Sequence, residues 1–297
     1  MPFWRSARQR GRAGNMPVVL SHYQAAPLLA AHASGQESTI EASPDLGLTR
    51  VTVTLDAEGV RFPDGEMVNW GQLAHIRKAE NQCFAVELSG DLRPIRVFSE
   101  TTNWLRSLMP TAGAPTMLVA GFPMHRIKDT DPWQDTLKKV VAAGPISGRV
   151  LDTATGLGYT AIAAARTASA VTTIELDPAA LAIARENPWS RELFENPRIH
   201  QMLGDAYDEV TKLPAAAFAV ILHDPPTLSL AGELYSEEFY RQLYRLLGSG
   251  GRLFHYTGDL SSTLGKRVAA GAMRRLKAVG FRRVVPRPEA FGVRAMK

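Results

Sequence analysis

From Gly148 onward the chain alternates short apolar runs with helical patterns, a texture that a parallel sheet covered by helices satisfies and few other folds do. Arg149-Val-Leu-Asp152 reads as a buried strand, and Tyr159 to Ala168 as an alanine-rich helix. Val171 to Glu175 is a second strand, followed by a helix opened by Asp177-Pro178, since proline fits the first helical position. Strands at Ile199–Leu203, Phe218–His223 and Arg252–Tyr256 follow, with helices predicted over 236–247 and 261–278. Ser236 is placed to cap the former, with Glu237 and Glu238 in its first turn. Arg282–Val285 and a strand near Phe291–Ala295 end the chain as a hairpin. Five βα steps and this hairpin describe an α/β fold, an open doubly wound sheet.

The first half has a different texture. Leu48 to Leu55 alternates at period two, Val60 to Phe62 follows across a Gly59 turn, and Cys83–Leu88 and Pro94–Phe98 flank Gly90-Asp91. The division expected is therefore a disordered basic extension over 1–15, a small β-rich unit over 16–109, a connector over 110–132 with four prolines, and the sheet domain over 133–297, opening on a helix from about Trp133 to Ala143. Met16-Pro17 is an alternative start.

Composition narrows the classes. The 297 residues are 45% hydrophobic, enough for one large core and a smaller attached unit. Cys83 is the only cysteine, which excludes an intramolecular disulfide and Cys-rich zinc or iron–sulfur frameworks, and fits a reducing cytoplasm. No run of 18 apolar residues is present, so no membrane-spanning segment is expected. The net charge of +5 sits at the ends: Arg5, Arg8, Arg10 and Arg12 at the start, and ten Lys/Arg against Glu289 from Leu264 on. The stretch between is net acidic, so the overall charge is weak support for nucleic-acid binding.

Chemistry gathers at the strand ends. After the first strand comes Asp152-Thr-Ala-Thr-Gly156-Leu-Gly158, whose glycines allow a tight turn and close approach of a ligand to the backbone. Gly156-x-Gly158-x-x-Ala161, with Glu175 nineteen residues on, also satisfies a dinucleotide pattern. Val150-Leu-Asp152-x-Ala154-x-Gly156-x-Gly158 resembles the first motif of class I S-adenosylmethionine-dependent methyltransferases, with Ala154 where that family often has glycine. The resemblance, which covers roughly 133–297, implies a Rossmann-like seven-stranded sheet whose last strand is reversed. It implies that the Glu175-Leu-Asp177 stretch holds the cofactor's ribose hydroxyls and that Gly204-Asp205 lies beside its adenine.

The fourth strand ends in His223-Asp224-Pro225-Pro226-Thr227. Two prolines remove two backbone donors and stiffen the loop, which suits a fixed placement of Asp224. The segment resembles the Asn/Asp-Pro-Pro-aromatic motif of amino-directed methyltransferases, in which the first side chain and a main-chain carbonyl aim a substrate amine at the methyl group. Thr227 departs from the aromatic fourth position, which counts against a stacked nucleobase. His223 is a further catalytic candidate, and Gly232, Tyr235 and His255–Asp259 are candidate walls of the cleft. Met124-His125-Arg126, before the sheet, is a candidate cover for cofactor or substrate.

The expected activity is methyl transfer from S-adenosylmethionine to a nitrogen of a small-molecule or RNA acceptor. Aminopropyl transfer from decarboxylated S-adenosylmethionine to a polyamine, as in spermidine synthases, is the alternative on the same fold. Against it stands Thr155-Gly-Leu-Gly158 in place of the Gly-Gly-Gly-Asp-Gly type turn. A nicotinamide-dependent oxidoreductase and a nucleic-acid-binding module are weaker readings, the first lacking a hydride-transfer site.

Overall fold

A computed structural model describes residues 17–35, 38–87 and 89–297. The basic extension expected over 1–15 lies outside them. The chain opens with β1 (Val18–Leu20), α1 (His22–Ser34), β2 (Thr39–Ala42), β3 (Val51–Leu55), β4 (Gly59–Arg61), β5 (Met67–Asn69), α2 (Trp70–Lys78), β6 (Phe84–Val86) and β7 (Leu92–Pro94). Both helices went unread in the sequence, although each opens with a capping box, Ser21 with Gln24 and Asn69 with Gln72. Their weak amphipathic patterns and Pro27 inside α1 hid them among the turn residues.

Next come β8 (Arg96–Ser99), β9 (Trp104–Met109), β10 (Thr116–Val119) and β11 (Phe122–Pro123), which form a four-stranded antiparallel sheet in the order β11-β10-β9-β8. The segment 110–132 is thus not a plain connector. It supplies two strands: Thr116–Val119 pairs with Met109–Arg106, Pro110 and Pro115 fall outside that pairing, and Pro123 sits on the edge strand β11 opposite Leu118.

The remainder is α3 (Pro132–Ala143), β12 (Arg149–Asp152), α4 (Tyr159–Ala165), β13 (Ala170–Glu175), α5 (Pro178–Glu186), α6 (Arg191–Glu195), β14 (Ile199–Leu203), α7 (Ala206–Lys212), β15 (Phe218–His223), α8 (Glu237–Leu246), β16 (Leu247–Tyr256), α9 (Thr263–Val279), β17 (Arg282–Arg287) and β18 (Gly292–Met296). They build one seven-stranded sheet in the order β14-β13-β12-β15-β16-β18-β17. The first five run parallel, and β18 is antiparallel to both β16 and β17. This is the doubly wound sheet with a reversed last strand that the sequence implied.

Helix boundaries follow local chemistry. Asp131 caps α3 ahead of Pro132, Asp177 caps α5 ahead of Pro178, and Ser236 caps α8. Alternation along the strands separates two cores: Val150, Val171 and Val220 pack with α3 to α5, while Leu151, Ile174 and Ile221 pack with α7 to α9. The basic residues Lys266, Arg267, Arg274 and Lys277 of α9 face solvent, opposite the buried stripe Gly265, Ala269, Ala272 and Leu276. No helix among the described residues is long and apolar enough to cross a membrane.

The N-terminal half shares the first of these cores through Val19, Ile95, Leu108 and Met117. Polar contacts lock it in place. Arg106 on β9 meets Asp177 at 2.7 Å, Ser99 Oγ donates to the same carboxylate at 2.9 Å, and Trp189 Nε1 donates to the Leu46 carbonyl at 3.1 Å. The small sheet is therefore seated against the start of α5, next to the carboxyl ends of the central strands.

Candidate active site

The glycine turn lies at the carboxyl end of β12, with Gly156 at φ +53° and Gly158 at φ +78°, both in the left-handed region where a side chain is strained. Thr155 N donates to the Ile174 carbonyl, fixing the turn against β13. A Cβ on Gly156 would stand 3.1 Å from Met124 Cε, so Met124, itself exposed, lies against the bare turn. His125, the next residue, is structural. His125 is bonded through Nδ1 to Thr116 Oγ1, and burial lowers its pKa to about 3.

Glu175, at the end of β13, reaches back to the turn. Its Oε2 accepts from Gly156 N at 2.8 Å and its Oε1 from Asp177 N at 3.0 Å. Burial pushes this carboxyl above its usual range, and the two amides oppose that shift. Asp152 is fully buried beneath them. Its Oδ2 accepts from Thr173 Oγ1 at 2.8 Å, while Oδ1 makes no hydrogen bond of normal geometry. Desolvation raises its pKa to about 8, the Thr173 bond opposing and the Asp224 charge adding. Ala154 lies in the turn between these groups, partly exposed. Gly204 N donates to the Glu175 carbonyl oxygen, and Asp205 caps α7 by accepting from Tyr207 N at 2.8 Å.

Two of the residues expected in the site do other work. Asp177 does not face a ribose: its oxygens are taken by Arg106, Ser99 and the Ala179 amide, and it is 3% exposed. His223 is not placed for proton transfer. Its Nε2 donates to the Leu234 carbonyl at 3.0 Å, which leaves Nδ1 to accept from Thr153 Oγ1 at 2.7 Å. With both nitrogens engaged in the core, burial lowers its pKa to about 3. His255 is likewise buried, against Tyr240 Oη at 2.9 Å.

Asp224 follows β15, two residues beyond Leu222, which pairs with Asp152, so its carboxylate and the glycine turn share one edge of the sheet. Tyr235 Oη donates to the Pro226 carbonyl at 2.9 Å and holds the Pro225-Pro226 loop. Sequence reasoning missed the partner of Asp224. Lys139 Nζ on α3 lies 2.6 Å from Asp224 Oδ2 and 3.1 Å from Asp135 Oδ2, while Arg126 donates to Asp135 Oδ1 at 2.8 Å. Lys139 also lies 4.5 Å from the Tyr256 ring centroid. Asp135 and Lys139 stand four apart, a spacing that ordinarily marks an exposed helical ion pair, and so it carried no signal of a buried one. The charge of Asp224 is thus offset by Lys139, which it shares with Asp135.

A glycine turn at the first strand, an acid at the end of the second and a stiff Asp-Pro-Pro loop at the fourth, on a sheet with a reversed last strand, define a class I methyltransferase type of protein. The comparisons agree. The methyltransferase small domain family matches residues 129–258. The uncharacterized protein MJ1233 of Methanocaldococcus jannaschii is 41% identical over 250 residues, 84% of this chain and 84% of that one. The chain belongs to one family with this archaeal protein, and its sheet domain is of the class I S-adenosylmethionine-dependent methyltransferase type. Polyamine aminopropyltransferase 2 of Streptomyces coelicolor is 32% identical over 98 residues, 31% of this chain and 18% of that enzyme. Among solved structures, spermidine synthase in complex with the transition-state analogue AdoDATO superposes with a TM-score of 0.55 at 19% identity, covering 72% of this chain and 78% of that one. Spermidine synthase from Thermotoga maritima gives 0.53 at 17% identity, over 72% and 77%. At such identities these two structures share the fold.

Proposed function

We propose that the protein transfers a methyl group from S-adenosylmethionine to a nitrogen atom, with Asp224 and the Pro225-Pro226 loop placing the acceptor. The observation that carries this reading is the free Oδ1 of Asp224. Lys139 takes Oδ2, none of the described residues bonds Oδ1, and the carboxylate stands on the same sheet edge as the glycine turn and Glu175.

The residues fit the cofactor that the family implies. Gly156 and Gly158 leave the turn without side chains, Glu175 is at hand for ribose hydroxyls, and the buried Asp152 Oδ1 makes no hydrogen bond of normal geometry. Gly204 and Asp205 would border the adenine, and Met124 would close over the turn. Bound there, the cofactor would supply an electrophilic methyl on a sulfonium, to be taken by a nitrogen lone pair while the C–S electron pair stays on sulfur and the nitrogen gives up an N–H proton to Asp224. Asp224 Oδ1 accepts an N–H of the acceptor and so orients the lone pair. The proline loop, tied by Tyr235, keeps that carboxylate from following the ligand's motion. Calorimetry with S-adenosylmethionine and S-adenosylhomocysteine tests the reading: absence of binding to both would sink it.

Aminopropyl transfer is the second reading, favoured by the partial likeness to polyamine aminopropyltransferases and by the shared fold. Incubation with decarboxylated S-adenosylmethionine and a polyamine separates the two, since only aminopropyl transfer releases methylthioadenosine.

A further inference from the structure

Resting on the methyl-transfer reading, we infer that Lys139 is a specificity-determining residue that keeps protonated alkylamines out of the acceptor site, so that the acceptor is a nitrogen of low basicity, such as an amide or an aromatic amine. The inference starts from a charge count. Asp224 and Asp135 face Lys139 and Arg126, two carboxylates against two cations, joined in one chain of contacts from the loop after β15 to α3 and to the loop after β11. Lys139 and Asp135 are almost wholly enclosed, their side chains 5% and 1% exposed. Arg126 is further held over the Phe291 ring, 3.4 Å from its centroid. Burial would favour a neutral lysine, and the nearby Asp224 and Asp135 carboxylates reverse that, raising its pKa above the ordinary range.

An alkylammonium entering beside Asp224 would find its counter-charge already engaged. To form its own ion pair it would have to pull Asp224 off Lys139 and leave a buried cation with Asp135 alone, which is strongly unfavourable. The excluded ligand is therefore rejected by a fixed like charge as well as by lack of an attractive one. An amide or aromatic amine is uncharged at neutral pH and meets no such repulsion, and as its nitrogen takes the methyl group it loses an N–H proton, which Asp224 Oδ1 accepts. Tyr235, through its bond to the Pro226 carbonyl, and the Tyr256 ring, faced by Lys139, wall in the pair of Asp224 and Lys139.

The test is calorimetric titration of putrescine, and separately of spermidine, into the full chain saturated with S-adenosylhomocysteine. Wild type is expected to show no saturable amine binding up to about 1 mM, a free-energy gain no larger than about 4 kcal/mol. Lys139→Gln leaves Asp224 without its cation and is expected to bind putrescine at least about tenfold more tightly than wild type, a gain of about 1.4 kcal/mol, with an affinity that falls as salt rises. Lys139→Arg should restore the exclusion, and Lys139→Gln/Asp224→Asn should abolish the gained binding. Tight amine binding by wild type would overturn the inference whether or not any variant folds. So would a Lys139→Gln variant that melts cooperatively, retains S-adenosylhomocysteine and gains no affinity for either amine. Failure of the methyl-transfer reading itself would show differently, as loss of S-adenosylhomocysteine binding in wild type.

Discussion

Arg106→Met isolates the contact that seats the N-terminal sheet on the cofactor-binding half. Arg106 and Asp177 are 7% and 4% exposed as side chains, with Nη2 2.7 Å and Nε 2.8 Å from the same carboxylate oxygen. Removing one partner of such a pair leaves an uncompensated buried charge, at a cost of about 3–5 kcal/mol. Ser99 Oγ and the Ala179 amide still donate to Asp177, so the lower end, about 3 kcal/mol, applies here. For a chain of this size that corresponds to a fall in Tm of about 6–12 °C. Asp177→Asn should cost a similar amount by stranding the guanidinium, whereas the double variant Arg106→Met/Asp177→Asn should cost less than the two singles together by about 2 kcal/mol. The assay is thermal and urea unfolding of all four members of the cycle. Single variants costing under about 1 kcal/mol and adding without coupling would refute the reasoning, since that is how a solvated surface pair behaves. Because the Asp177 amide also donates to Glu175, S-adenosylhomocysteine affinity should fall in Arg106→Met; unchanged affinity would separate the docking contact from the cofactor site.

Asp224→Ala should keep S-adenosylhomocysteine binding and lower turnover by about a hundredfold or more, measured once an acceptor is found; equal turnover would return the proline loop to a structural role. The buried histidines make the fold acid-sensitive: the pKa values of His125 and His223 are lowered to about 3 and that of His255 well below the usual 6.5, so the unfolded chain binds protons that the native one does not. Stability should therefore fall as pH drops from about 6.5, by up to about 4 kcal/mol per pH unit if all three contribute, and a flat urea midpoint between pH 6.5 and 5 would contradict this. Asp152 acts with the opposite sign. Its pKa rises from 3.8 to about 8 on folding, so the native state holds a proton that the unfolded state has lost, and stability declines as pH climbs through that window. Asp152→Asn should remove that decline, gaining stability over wild type at pH 8 but not at pH 4, as melting curves at the two pH values would report.

The sheet was legible because its signals are local. Arg149–Asp152, Ile199–Leu203 and Phe218–His223 are apolar runs closed by turn residues, and Asp177-Pro178 and Ser236 announce helix starts through their own side chains. The glycine turn and the proline loop were legible for the same reason, since Gly156 permits a backbone other residues resist and Pro225 fixes its own. The N-terminal half was read less well: α1 and α2 are held mainly by packing of Leu28, Leu73 and Ile76 in a small core, and a weak periodicity carries little of that. Roles set by partners far along the chain were out of reach. Sequence placed Asp177 beside Glu175 and His223 beside Asp224, where either could have served the chemistry. Only the tertiary structure turned Asp177 toward Arg106, 71 residues away, and His223 into the core against Thr153, 70 residues away. Lys139 is the sharpest case. Its sequence neighbours suggest an exposed helical pair, and folding brings it to Asp224 across 85 residues, because a charge is buried only where distant elements converge to compensate it.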